Sequence, residues 1–261
     1  MNQKKQRKGP LSAISIMHYW KLIFRSLLFL IALLLYIFTK PSTIMDLTVF
    51  RGYLAIIWLL FVAEMILRFF PSKIESMGCQ KQFARNFHPS ETKRTAVLPE
   101  QAEHSVLIVT VSWVALNAVI GLLYFTGVIS QFVLLLVSLA YSVCDMICIL
   151  FFCPFQTWMM KNKCCGTCRI YNWDYAMMFT PLVFVPHVYT WSLLGIAILL
   201  LITWEIFYKL YPERFSESTN ASLHCANCPE KLCHHKKQLH RFWSREKERF
   251  LRKMARKTND E

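Results

Sequence analysis

DYAMMFTPLVFVPHVYTWSLLGIAILLLITWEIFYKLY, residues 174–211, is apolar almost throughout, and how it folds back on itself sets the architecture of the chain. As one α-helix with a rise of ~1.5 Å per residue it would be about 55 Å long, well beyond the ~30 Å hydrocarbon core of a bilayer. It therefore has to break. Pro181 and Pro186 each lack a backbone donor and crowd the preceding turn, and Gly195 follows soon after. The sequence thus predicts a tight turn around 186–191 and two passages. The first passage, at roughly fifteen residues, is short for a span, so a re-entrant segment is its alternative. Irregular backbone at that depth has to be covered by protein or water.

Four further stretches, 19–38, 50–70, 105–125 and 129–152, are each apolar over about the 20 residues that a spanning helix needs. The first is longer than a signal-peptide core, and no small-residue cleavage site follows it before Lys40-Pro41, so it reads as a retained helix. The expectation is an all-α, polytopic integral membrane protein with about six transmembrane helices, the fifth short and Pro-broken. The composition agrees: 55% hydrophobic residues beside a formal charge of +14 require the apolar and basic residues to be segregated along the chain.

Charge then orients the helices. Basic residues gather in the N-terminal tail (Lys4, Lys5, Arg7, Lys8), in the segment 71–103 and around the cysteine loop (Lys161, Lys163, Arg169), whereas 40–48 and 126–128 contribute only Lys40. The most basic stretch, Lys231 through Lys257, joins them on the cytoplasmic side only if the number of spans is even. Six satisfies this. The expected division is a basic N-tail (1–17), helices one to four with the loop 71–103 (18–153), a Cys-rich loop (154–173), a transmembrane hairpin (174–211) and a Cys/His-rich basic tail (212–261). Both termini are expected in the cytoplasm, with the protein in a plasma or inner membrane.

Sidedness decides the cysteine chemistry. Thiols on the cytoplasmic face stay reduced, which disfavours disulfides and leaves metal binding. Two CxxC pairs, Cys165/Cys168 in the loop and Cys225/Cys228 in the tail, each let two sulfurs reach one ion, and together they supply a tetrahedral thiolate shell. Cys164, Cys233, His224, His234 and His235 are additional candidate ligands. The hairpin 174–211 returns the chain to the same membrane face, so one ion would staple loop to tail. Zinc is the favoured metal and an iron–sulfur cluster the alternative; unligated or palmitoylated thiols are the plain reading. On the same sidedness the sequon Asn220-Ala221-Ser222 is a chance match.

Ionisable residues inside spans are costly and so are functional candidates. Glu64 with Arg68, and Glu205 with Lys209, stand four apart and are expected to pair within their own helices near the cytoplasmic surface. Asp145 lies between Cys144 and Cys148, which share a helix face; a soft cation would find thiols and a carboxylate there, although cysteine is also a common apolar filler. His187, after Pro186, is a candidate for quinone or proton chemistry or a plain interfacial residue like Tyr189 and Trp191. Residues 236–257 place Leu239, Phe242, Trp243, Phe250 and Met254 on one stripe with basic residues around them, as in an amphipathic helix lying on anionic inner-leaflet lipids. Nucleic acid is not an expected partner beside six spans. A membrane or cytoplasmic protein is.

The chain carries no phosphate loop, nucleophile elbow or HExxH, so no reaction is assigned and enzymatic activity stays open. Three functions fit: a membrane scaffold or assembly component pinned by zinc, a redox protein passing electrons from an iron–sulfur centre to a quinone or other membrane acceptor, and a metal-ion permease.

Overall fold

A computed structural model describes residues 13–39, 51–71, 77–90, 100–160 and 168–224. Among these residues the protein is all-helical, with one isolated antiparallel bridge between Pro89 and Asn220 and no strand. The main helices are α1 (Ala13–Thr39), α2 (Arg51–Leu67), α3 (Met77–Gln82), α4 (Glu100–Phe125), α5 (Gln131–Leu150), α6 (Asp174–Phe179) and α7 (Val188–Leu210). Four of them contain apolar stretches long enough to cross a membrane: Ser15–Phe38, Glu103–Phe125, Gln131–Leu150 and Val188–Leu210. Gly52–Leu67 is a shorter apolar helix.

The helices alternate in direction. Tyr19 meets Phe151 at one end of the α1–α5 pair, and Tyr36 stacks on Phe132 at the other. Facing residues of α2 and α6 run in opposite order: Phe61 packs edge-on against Phe179, and Glu64 accepts a hydrogen bond from Tyr175 Oη. The turn from α4 to α5 needs a positive φ, supplied by Gly127 at 76°. We call the end where α2, α5 and α7 finish the proximal end, and the other the distal end.

The core runs along the axis of the α1, α2, α5, α6 and α7 bundle, where Ala32, Met65 and Leu134 are wholly buried. Outward faces carry Leu59, Val114, Leu122 and Ile202, all well exposed. Helices apolar on both faces match a solvent of lipid tails rather than water.

The predicted break in 174–211 is real, and it takes an unexpected form. The chain does not make a short α-helix ending in a turn. After α6 it tightens into a 3₁₀ helix, Thr180–Phe184, and then extends through 185–187 before α7 begins at Val188. Fourteen residues of unbroken α-helix would cover about 21 Å; with 3₁₀ and extended rises for the later part they cover roughly 29 Å. Asp174 lies at the proximal end against Arg68, and Phe184 lies at the distal end against Phe125. The segment runs the length of the bundle.

Peripheral α4 is held by this segment. The Phe184 ring lies directly over Gly121, so close that a Cβ there would overlap it. About two turns away along α4, Trp113 packs on Tyr141 and donates to Thr180 Oγ1 at 3.4 Å.

Candidate functional site

The polar residues of the spans do not pair as helix-face spacing predicts. Glu64 does not bond Arg68, its neighbour four residues on. It accepts from Arg25 of α1 at 2.7 Å and from Tyr175 of α6, and Lys21 stands 3.2 Å away. Arg68 instead meets Asp174 of α6 at 2.6 and 2.8 Å and lies over the Tyr175 ring. Glu205 ignores Lys209 and accepts two bonds from Arg169 Nε at 3.1 and 3.2 Å and one from Trp173 Nε1 at 2.8 Å. In each case the partner lies on another element, so the bond ties two elements of the bundle together. Burial opposes the Arg169 charge, but its bonds to Glu205 outweigh that and lift its pKa above the usual guanidinium value.

Arg25, which the sequence places with Arg51 and Arg68 among the charges nearer the span ends, is the centre of the cluster. It lies well inside the first apolar run, and its side chain is 1% exposed. The guanidinium bonds Glu64, Asp145 at 3.0 Å and the Ser142 carbonyl at 3.1 Å, with the Phe61 ring against it. Three cations (Lys21, Arg25, Arg68) thus face three carboxylates (Glu64, Asp145, Asp174), and the cluster as a whole is neutral. Neutrality is what permits it there, since an unpaired charge at this depth would cost several kcal/mol, on the order of 3–5 once its partner is lost. The signal was present: an arginine inside a hydrophobic run must have a buried partner.

Asp145 links this cluster to a cavity of about 290 Å³ bounded by α4, α5 and the approach to α6. Its wall is mostly apolar, with Trp113, Tyr141 and Tyr171 among its sides. Cys144 and Cys148 both face it, as their i,i+4 spacing predicts, and Asp174 closes one side. Phe155 and Gln156 of the π turn Phe155–Met159, and the buried Cys168, also line it, and the cavity is open on one side.

His187 is at the other end of the molecule. Its ring Nδ1 accepts from Tyr189 N at 3.3 Å, and its backbone N–H donates to Thr190 Oγ1 at 3.3 Å, so it caps the start of α7. It has no part in the Asp145 cluster.

Three segments gather on the proximal end. Asn172 donates to Gln82 at 3.1 Å, tying the exit of the cysteine loop to α3. The adjacent Lys81 carbonyl accepts from Asn220 Nδ2 at 3.0 Å, tying the start of the tail to the same helix. Ser222 Oγ to Asn86 O, Ala221 N to His88 O and Ser90 N to Thr219 O extend this seam. Asn220 is wholly buried, and its amide nitrogen also bonds Arg214 O, so the sequon asparagine is a structural latch with no room for a glycan.

Of the predicted metal ligands, Cys168 and His224 are described and Cys164, Cys165, Cys225, Cys228, Cys233, His234 and His235 lie outside the described residues, as does 236–257. Cys168 packs with Val106, Val109 and Ile170, and His224 Nε2 bonds Glu217 O at 2.6 Å. Among the described residues no three His, Cys, Asp or Glu side chains converge on a common point within metal-ligand reach. No protein-family model, no characterised protein and no solved structure matches the chain.

Proposed function

We propose that this chain is a six-crossing membrane scaffold whose proximal end faces the cytoplasm and carries a zinc centre. Cys165 and Cys168 of the loop and Cys225 and Cys228 of the tail are the proposed ligands, with an iron–sulfur cluster as the alternative occupant. The seam on α3 supports this reading. Neighbouring residues Lys81 and Gln82 hold the tail and the loop exit respectively, so Cys168 leaves, and the chain toward Cys225 starts, from one patch of the molecule. A structural metal adds folding free energy where short polar segments bury little apolar surface. The scaffold offers its proximal end to a membrane or cytoplasmic protein partner, with the basic tail on anionic lipids.

Elemental analysis of the purified chain tests the centre. The expected result is a colourless protein with about one zinc, released by either Cys165→Ser or Cys228→Ser, because each removes one ligand of a four-ligand shell. Zinc lost from only one of the two variants would contradict a shared site, and a brown protein containing iron would replace zinc by a cluster.

A second reading, a metal-ion permease, draws support from the cavity, where Asp145, Cys144 and Cys148 share one wall. The redox alternative draws none from His187, which is engaged in capping α7.

A further inference from the structure

The sulfur content of the cavity is not accounted for by the scaffold. Besides Cys168, which the proposed zinc centre takes, three thiols, Cys144, Cys148 and Cys153, and two thioethers, Met177 and Met178, line a space of about 290 Å³. They come from α5, from the turn after it and from α6, so three separate stretches of chain present sulfur to one volume. Cys144 is exposed and Met178 is buried.

We propose that this cavity binds a soft monovalent metal cation of the Cu(I) class. Soft sulfur donors select such ions over zinc or calcium, and thioethers add to that selectivity because they are poor ligands for harder cations. Coordination number points the same way. A zinc shell needs four ligands, usually thiolate or imidazole, and no three His, Cys, Asp or Glu side chains converge here. A d¹⁰ monovalent ion needs only two or three sulfurs, fewer than the cavity offers.

Charge decides between monovalent and divalent. Asp145 and Asp174, the carboxylates that border the cavity, are already matched by Arg25 and Arg68. The adjoining cluster sums to zero, leaving no spare negative charge for a dication. When one thiol exchanges its proton for Cu(I), the proton passes to solvent, the copper keeps its oxidation state, and the thiolate–Cu(I) pair is neutral. A divalent ion on the same thiolate would leave one positive charge against apolar walls, a costly arrangement. The inference rests on the permease reading for where the ion goes next, and stands without it as a binding site.

The test measures Cu(I) bound by the purified full-length chain in detergent against the competing chelator bathocuproine disulfonate, with zinc counted in the same samples. The variant Cys144→Ala with Cys148→Ala keeps small apolar groups, so filler thiols would make it silent. The expected result is the loss of one Cu(I) with zinc unchanged, while Cys165→Ser loses zinc and keeps that Cu(I). Met177→Leu, which conserves volume, should weaken the same Cu(I) roughly 10–100-fold, the range seen when supporting groups of metal sites are removed, and it serves also if the alanine pair does not fold. Unchanged Cu(I) binding in these variants would overturn the site. Cu(I) binding without copper accumulation by cells would uphold the site and remove the permease.

Discussion

Arg25 stands where a hydrophobicity scan expects lipid, yet its guanidinium ends 2.7 Å from Glu64 and 3.0 Å from Asp145. It joins α1, α2 and α5 through one side chain, and Tyr175 brings α6 to the same carboxylate. Removing it strands Asp145 and leaves Glu64 with only Lys21 and Tyr175. Arg25→Ala is therefore expected to cost on the order of 3–5 kcal/mol, the usual consequence of breaking a buried ion pair from one side. Arg25→Lys, which keeps the charge but loses the fork that reaches two acceptors, should cost less. Neutralising the acceptors as well, with Glu64→Gln and Asp145→Asn on Arg25→Met, should recover part of the loss. Thermal unfolding in detergent reads all three; Arg25→Ala melting like the parent would show that the cluster contributes nothing to stability. The residues of this cluster were all visible in the sequence as charges within apolar runs. Their pairing was not, because spacing along one helix reports only the face of that helix, and it offered Glu64–Arg68 and Glu205–Lys209. The true partners sit on other helices, and which side chains meet there depends on packing that a single sequence does not encode locally.

The segment 174–187 shows the same division at the scale of an element. Pro181 and Pro186 announced the break, and a chain too short to span as an α-helix was legible from its length. That it spans the bundle anyway follows from a change of rise, from α through 3₁₀ to extended, which leaves no periodic signature in so few residues. What holds the stretched part in place is contact with α4, where the Phe184 ring covers Gly121 and packs against Phe125 and Tyr124. Gly121→Ala should push that ring aside and cost about 1–3 kcal/mol, as overpacking does. Combining it with Phe184→Leu, which withdraws the far edge of the ring, should restore most of the loss. Unfolding of the two variants measures this; equal loss in single and double variants would mean that the contact does not hold α4. Cys144 and Cys148 are the opposite case. Their spacing alone placed them on one face, and the cavity lies on that face.

For the molecule as a whole, Lys81, Arg85 and Arg214 lie at the proximal end while Arg51 begins α2 at the distal end, and the neutral charged cluster lies just inside the proximal end. Asn172 and Asn220 fasten loop and tail to adjacent residues of α3 there, and every role proposed for the cysteines requires this end to face the reducing compartment. The most direct measurement is thiol labelling of intact cells with a membrane-impermeant maleimide, using cysteines introduced at exposed positions. Glu217→Cys and Arg85→Cys report on the proximal end, and Val128→Cys on the distal turn. The expected result is labelling of Val128→Cys in intact cells and of Glu217→Cys and Arg85→Cys only after permeabilisation; Glu217→Cys labelled from outside would contradict it.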